Sequence, residues 1–240
     1  MRVAMIALAV SLAACSPGSE AHGDKDARAS GSATSRSFAA SGFTSVELHG
    51  PDDVQIRNGS NFSVRAEGPS DVLDRLEVRV DGGALKIGRE GKSWNWGESK
   101  GAKIFVTLPR LTGATIAGSG NMDIDRGEGQ FAGAIAGSGD LKIGTLNATA
   151  TSLSIKGSGD ITASGGSLGR LNAAIAGSGD IDARGARAQA ADISIAGSGN
   201  VRAQVHGNAA VNLMGAGDVE LTGGAQCTVA RVGSGEAHCS

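Results

Sequence analysis

Hydrophobic and polar residues alternate through most of the chain beyond residue 38. Between residues 111 and 240 a short phrase interrupts the alternation at regular intervals: Gly-Ser-Gly, then Asp or Asn, then a hydrophobic residue. Alternation with a period of two predicts β-strands with one buried face. No segment between two phrases carries ten residues at helical spacing, so the pattern predicts an all-β chain.

The phrase occurs seven times, with Ala replacing Ser in the sixth copy and Glu replacing Asp in the seventh. The residue two positions before each phrase is Ile in the first five copies and Leu in the sixth. Seven copies at a nearly constant period indicate a solenoid. The first glycines, which are 19, 20, 20, 20, 18 and 18 residues apart, are Gly118, Gly137, Gly157, Gly177, Gly197, Gly215 and Gly233.

Two folds fit a repeat of two short strands bent around a Gly-x-Gly corner. One is a right-handed parallel β-helix with coils of 18–20 residues, and the other is a meander of hairpins that turn at the phrase. Stacked coils place like residues above each other every ~4.8 Å, which favours identical residues at identical offsets. A meander would pair different offsets, so the near-identity of the copies favours the β-helix.

Residues 38–110 alternate in the same way but lack the phrase. Turn signals such as Asn58-Gly59 and Gly68-Pro69 separate the runs. We expect this part to form irregular N-terminal coils of the same domain, which would span residues 38–240, with the repeats in 111–240. Residues 70–73 predict one helical turn with Ser70 as its N-cap.

Composition and charge narrow the function classes. The chain has 39 glycines among 240 residues, and most of the excess is periodic, which indicates tight corners rather than disorder. Its formal net charge is −2, so we expect no nucleic-acid partner, because phosphate recognition needs a concentrated basic surface. The sequence indicates no cofactor, and it leaves the oligomeric state open.

The first residues predict export. Arg2 precedes an apolar run over residues 3–14 that is too short to span a bilayer, as in a signal peptide. The run ends in Leu12-Ala13-Ala14-Cys15, which resembles the bacterial lipoprotein signal. The resemblance implies cleavage after residue 14, lipidation of Cys15, a flexible tether over 15–37 and an outer-membrane location, since Ser16 is not Asp. The alternative is an ordinary secretory signal.

A lipoprotein signal, a tether, an introductory β segment and the repeated phrases together resemble the bacterial head-GIN domain family, described as auto-transporter adhesin heads. The resemblance covers residues 38–240 and implies a β-helix-like solenoid in the cell envelope. The activity of that family is unknown, so the resemblance assigns no functional residue.

Cys227 and Cys239 lie six residues before and six after Gly233, with the parity of the inward positions. Both should point into the last coil and meet there, and an oxidising envelope compartment favours a disulfide. Free or metal-binding thiols are the alternative. Arg231, where other coils have Ile or Leu, marks this coil as the end of the stack.

The acidic residues of the phrases would form a column along one corner of the solenoid. A calcium ladder is one interpretation of this column, and Asx-turns with the local backbone are the other. The four aspartates are Asp140, Asp160, Asp180 and Asp218.

Trp94 and Trp96 lie close together and are a candidate ligand contact, since alternate residues of an extended strand share a face. The alternative is a hydrophobic plug at the N-terminal end of the solenoid.

Three hypotheses about function follow. The first is a non-enzymatic envelope lipoprotein whose strand faces bind an envelope glycan or a protein. The second is a purely structural envelope protein. The third is a polysaccharide-processing enzyme, for which Asp182, Arg184 and Arg187 are the candidates; no catalytic residue is assigned.

Overall fold

The computed structural model describes residues 25–26, 29–30, 34–90 and 101–240. Strands make up most of this part of the chain, and its one helix has four residues. The elements in chain order are β1 (Lys25–Asp26), β2 (Ala29–Ser30), β3 (Ser35–Phe38), β4 (Ser45–Gly50), β5 (Asp53–Asn58), β6 (Ser63–Glu67), α1 (Ser70–Leu73), β7 (Leu76–Asp81), β8 (Ala84–Arg89), β9 (Lys103–Leu108), β10 (Gly113–Gly118), β11 (Met122–Gly137), β12 (Leu141–Gly157), β13 (Ile161–Ala163), β14 (Gly166–Gly177), β15 (Ile181–Gly197), β16 (Val201–Val205), β17 (Asn208–Gly215), β18 (Val219–Thr222), β19 (Gln226–Gly233) and β20 (Ala237–Cys239).

Strands of successive coils stack in parallel and in register. Ile155 pairs with Ile135 on one side and with Ile175 on the other, so equal offsets of the repeat lie directly above each other. This pairing excludes a meander of hairpins and confirms the parallel β-solenoid that the repeat predicts. The right hand of the coil stays a prediction.

Each full coil has three faces, whereas the sequence pattern suggested two strands bent around one corner. In the coil of residues 138–157, face 1 is 141–143, face 2 is 146–148 and face 3 is 151–157; the same names are used for equivalent positions in other coils. Pairs of outward residues between the faces make two corners, and the Gly-Ser-Gly phrase makes the third. The inward, buried positions of this coil are 141, 143, 146, 148, 151, 153 and 155.

The shorter coils lose part of face 2. Between β15 and β16 the register shifts after Ala183, so that Arg187 pairs with Gln204. Residues 184–186 thus have no counterpart at the corner between faces 1 and 2, and one residue is regained between faces 2 and 3, which gives the net shortening of the repeat from 20 to 18 residues. Faces 1 and 3 continue in register.

The interior is narrow and mostly aliphatic. Phe131 is an exception, and it is fully buried. A Cβ atom on Gly127 would lie 2.6 Å from the Phe131 ring, and one on Gly133 would lie 3.4 Å from it. The coil therefore accommodates an aromatic ring only where neighbouring inward positions lack a side chain, which explains why aromatic residues are scarce in the repeats.

The N-terminal region differs from the expected irregular coils in two ways. First, β4 pairs in parallel with both β10 and β8. The coil formed by β8 and β9 therefore stacks on the coil formed by β4 and β5, on the side away from the repeats. Second, β7 pairs antiparallel with β8 and β6 antiparallel with β9, which covers the outer edge of that coil. Antiparallel strands thus cap this end of the parallel stack.

A buried ion pair joins the two N-terminal coils. Asp52 is fully buried and accepts hydrogen bonds from Arg89 Nε at 2.9 Å and from the backbone N–H of Ala102 at 2.7 Å. The Arg89 side chain is 14% exposed. A buried carboxylate is tolerated only when it is paired in this way, so we assign Asp52 a structural role.

Helix α1 forms where the sequence predicts one turn, but Ser70 is not its cap. Pro69 precedes the helix as the N-cap residue, and no side chain caps the first turn. Ser70 is the first helical residue. Val72 and Leu73 are buried, so burial of apolar side chains holds this short turn in place.

Candidate binding surface

Three of the residues singled out from the sequence lie outside the part of the chain that the structure describes. They are the lipidation candidate Cys15 and the ligand-contact candidates Trp94 and Trp96. Their roles therefore stay predictions.

The two remaining cysteines form a disulfide across the last coil. Cys227 lies on β19 and Cys239 on β20, with their Cα atoms 6.5 Å apart. Both side chains are half-buried. Arg231 stands where other coils have an aliphatic residue, and its guanidinium donates to the carbonyl of Gly235 at 3.3 Å. The disulfide and this arginine seal the C-terminal end of the core.

The acidic corner column is a hydrogen-bond ladder between coils. Oδ1 of Asp140 accepts the backbone N–H of Asp160 at 3.2 Å, and Oδ1 of Asp160 accepts that of Asp180 at 2.8 Å. Asn200 continues the ladder, because its Oδ1 accepts the N–H of Asp218 at 2.9 Å.

The Asx-turn interpretation is wrong for these bonds, since each N–H lies one coil away rather than in the local backbone. Within the described residues, no three His, Cys, Asp or Glu side chains are grouped so as to hold a metal ion. The backbone N–H groups give each column residue a partner, and the ladder needs no cation to explain it.

Face 1 has a charged outward residue in five of the six coils from Asp123 to Glu220. Asp182 accepts hydrogen bonds from Arg184, at 2.5 Å from its Nη2, and these bonds hold the pKa of Asp182 below its usual value. A general acid needs a raised pKa, so Asp182 is unsuited to that role at neutral pH. Arg187 lies on face 2, so the three candidate residues of an enzyme do not converge.

Face 3 has a different outer surface. Over the repeats it is exposed, and most of its outward side chains there are small. Of the eighteen outward residues that β11, β12, β14, β15, β17 and β19 contribute, eight are alanine and the charged ones are Lys156 and Asp192. On the N-terminal strands β4 and β8 the same face carries Glu47 and Lys86. The eighteen positions, coil by coil, are Ala132, Ala134, Ala136, Ser152, Ser154, Lys156, Asn172, Ala174, Ala176, Asp192, Ser194, Ala196, Ala210, Asn212, Met214, Thr228, Ala230 and Val232.

A shallow, open depression of about 210 Å³ lies in the middle of face 3. It is lined by outward polar side chains, including Ser152, Asn172, Ser194 and Asn212. Asp192 is the one titratable residue of its lining, and its carboxylate is paired with Arg170.

Two large apolar side chains extend face 3 towards the C-terminal end. Met214 is 60% exposed and Val232 is 74% exposed, and the two residues pair on neighbouring strands. Ala176 and Ala196 continue the same column in the preceding coils. Exposed apolar side chains that adjoin one another indicate a binding surface more strongly than scattered ones.

Sequence reasoning missed this surface because it followed the inward columns. The residues one, three and five positions before each Gly-Ser-Gly phrase carry the relevant pattern. Those residues are small in most copies, but only the register of the coils shows that they form one face.

None of the described helices is long and apolar enough to cross a bilayer. No curated protein matches the chain. Several solved structures share its fold. The structure titled "putative adhesin" from Bacteroides fragilis NCTC 9343 has a TM-score of 0.78 at 18% identity, and the alignment covers 86% of this chain and 96% of that one.

The structure titled "Putative lipid binding protein" from Parabacteroides distasonis ATCC 8503 has a TM-score of 0.65 at 22% identity, covering 86% of this chain and 96% of that one. A second structure titled "putative adhesin", from Parabacteroides merdae ATCC 43184, has a TM-score of 0.67 at 14% identity, covering 86% of this chain and 95% of that one. At these identities the likeness shows the fold alone.

The family model described as "Putative auto-transporter adhesin, head GIN domain" matches residues 42–225. The match includes the two N-terminal coils, the antiparallel strands β6 and β7, and most of the repeat region. With this match and the shared solenoid fold, the chain belongs to the head GIN domain family that this model describes.

Proposed function

We propose that the chain is a non-enzymatic protein of the bacterial cell envelope, held at the outer membrane by lipid on Cys15, whose face 3 is an adhesive binding surface. Membership of an adhesin family supports a role at the cell surface or in the envelope. The location and the anchor rest on the lipoprotein-like sequence Leu12-Ala13-Ala14-Cys15.

The observation that carries the proposal is the contrast between face 3 and face 1. Interface centres are depleted in charged residues, and the repeat part of face 3 carries two charges among eighteen outward side chains, one of them already paired. Face 1 is crossed by ion pairs such as Arg202 with Glu220. Docking of a partner on face 3 therefore requires the desolvation of few charged side chains.

A binding role fits the chemistry of face 3 better than catalysis does. General acid–base catalysis needs a donor and an acceptor within hydrogen-bond reach of a bound substrate. The depression on face 3 offers Asp192 as its one titratable group, and Arg170 already occupies that carboxylate. Its hydroxyls, on Ser152 and Ser194, have no histidine beside them in the lining.

The outward side chains of face 3 include no aromatic ring on which a sugar could stack. The surface therefore fits a protein partner better than an envelope glycan. A glycan ligand would instead use the predicted contact at Trp94 and Trp96. Quenching of intrinsic fluorescence by peptidoglycan fragments or lipopolysaccharide, lost in Trp94→Ala and Trp96→Ala, would identify that second site.

The proposal is tested by beads coated with the purified protein and scored for attachment to cells of the bacterium that carries it. Ser194→Arg places a long cation in the middle of face 3, and we expect it to abolish attachment. Ser167→Arg is the matched control, because Ser167 is also an exposed strand residue but lies on face 2. Equal attachment by both variants would refute the proposal.

A further inference from the structure

We propose that the partner of face 3 is face 3 of a second copy of the chain, related to the first by a two-fold axis along the line from Ala174 to Met214. The inference rests on the proposed function and names the partner of that same surface. It is carried by the placement of the two charges and by the position of the methionine.

Lys156 and Asp192 lie symmetrically about Ala174. Lys156 is one coil before Ala174 and two residues further along the strand, because Ala174 pairs with Ser154. Asp192 is one coil after Ala174 and two residues back, because Ala174 pairs with Ser194. With ~3.3 Å per residue and ~4.8 Å between strands, the two charges are ~16 Å apart with Ala174 at the midpoint.

A two-fold axis in the plane of the face, perpendicular to the line between these charges, brings Lys156 of one copy opposite Asp192 of the other. Lys156 is exposed and makes no hydrogen bond or ion pair with any described residue. Arg170 bonds Oδ2 of Asp192, and a carboxylate can accept several donors. The pairing supplies a partner to the one uncompensated charge of the face, and it does so twice.

The same axis passes through Met214. This residue lies two coils after Ala174 and two residues further along the strand, which places it ~10 Å across the coils and ~7 Å along the strand. The direction from Ala174 to Met214 is thus nearly perpendicular to the line from Lys156 to Asp192. The axis therefore places the exposed Met214 against its own copy, where both apolar side chains leave water.

The small side chains between these contacts let the two sheets approach closely. The axis makes the strands of the two copies cross at roughly 70°, close to the orthogonal class of sheet packing. The shared area is then roughly 20 Å by 20 Å on each copy, or about 800 Å² in total, which is the size of a weak, transient interface. Many copies on a surface would add such contacts into firm adhesion.

The open edge at the C-terminal end is the other surface that a second copy could meet. Among the described strands, β19 pairs only with β17 and β20 only with β18. The inward-pointing Arg231 is the kind of charge that blocks pairing at such an edge. The end of the stack is therefore protected, whereas face 3 is not.

Carbodiimide cross-linking tests the geometry directly, because it joins an amine to a carboxylate only when the two touch. Lys156 and Asp192 of one copy are too far apart to react with each other. We therefore expect a covalent dimer of the purified protein whose linked peptides join Lys156 to Asp192. Absence of dimer at millimolar protein, or a dimer linked only through other residues, would overturn the proposal.

Charge-exchange variants test the same pairing without a cross-linking reagent. Sedimentation equilibrium should show that Lys156→Glu and Asp192→Lys each weaken dimerisation about tenfold, and that the double variant restores it. Lys142→Glu, an exposed lysine on face 1, is the matched control and should leave dimerisation unchanged. Failure of the double variant to recover would contradict the proposed axis.

Bead attachment to cells that lack the gene separates this inference from the proposed function. If the partner is a second copy, attachment needs the gene in the target cells. Suppose instead that beads still attach to cells that lack the gene, and that Ser194→Arg on the beads abolishes this attachment. Face 3 would then remain the adhesive surface, but its partner would not be a second copy.

Discussion

The second glycine of each corner phrase should be irreplaceable because of the coil below it, and Gly159→Ala tests this. The backbone of Gly159 is not in the left-handed region, so a side chain is not excluded by its φ angle. An added Cβ, however, would lie 2.0 Å from the carbonyl oxygen of Gly139 in the preceding coil. Real contacts of this kind do not fall below about 3.0 Å, so the two corners must separate by about 1 Å.

The cost of this separation follows from the bonds that cross the corner. Ser158 donates its N–H to the carbonyl of Gly137 at 3.0 Å, and Asp160 donates to Oδ1 of Asp140 at 3.2 Å. A displacement of 1 Å breaks both, at about 1 kcal/mol each, and loosens the packing beneath them. We expect a total loss of about 3 kcal/mol, which for a domain of this size lowers Tm by about 6–12 °C.

Thermal unfolding followed by circular dichroism measures this loss. The control is Ser158→Ala, which changes the exposed residue between the same two glycines. Ala216 already occupies the equivalent position in the sixth phrase, so this variant should melt within about 1 °C of the parent. If Gly159→Ala melts as the parent does, close approach of the coils is not what requires glycine there.

Four further predictions concern the last coil, the hydrogen-bond ladder and the buried ion pair. Cys239→Ala should speed amide exchange in β19 and β20, because the disulfide closes a 12-residue separation with an expected contribution of about 2–3 kcal/mol; unchanged exchange would mean that it does not hold the last coil. Asp160→Ala should lower Tm by about 2–4 °C while Asp160→Asn, which keeps the acceptor, should not. Added EGTA should leave Tm unchanged, and a fall would revive the calcium ladder. Asp52→Ala should cost about 3 kcal/mol or more in urea unfolding, because it removes the buried carboxylate that accepts hydrogen bonds from both Arg89 and the N–H of Ala102, and a loss below 1 kcal/mol would refute the role of this pair.

The fold of the repeat region could be predicted from the sequence because the same residue types recur at a nearly fixed spacing. Ile135, Ile155 and Ile175 recur at one offset, and their stacking in the solenoid is what that recurrence predicts. The disulfide between Cys227 and Cys239 followed from the same parity argument.

The N-terminal arrangement could not be predicted in this way. The strands of residues 38–110 alternate like the coils, but alternation does not distinguish parallel from antiparallel pairing. The chain reverses at Gly82 and Gly83, both at positive φ, so that β8 runs back antiparallel to β7. The stacking of β8 on β4 depends on this reversal. Local sequence predicts the turn without predicting which strands it brings together.

Face 3 was missed for another reason. Its outward residues differ in identity from coil to coil, so no column of identical side chains draws attention to them. What they share is small size and lack of charge, which gains meaning only when the register places them on one surface.

An arginine scan of the outward positions tests the central claim, that face 3 is the adhesive surface, most directly. Bead attachment is measured for Ser152→Arg and Asn212→Arg on face 3, for Thr162→Arg on face 1 and for Ser167→Arg on face 2. We expect attachment to be lost in both face 3 variants and kept in the other two, while all four melt as the parent does. Loss of attachment on face 1 or face 2, with face 3 tolerant of arginine, would contradict it.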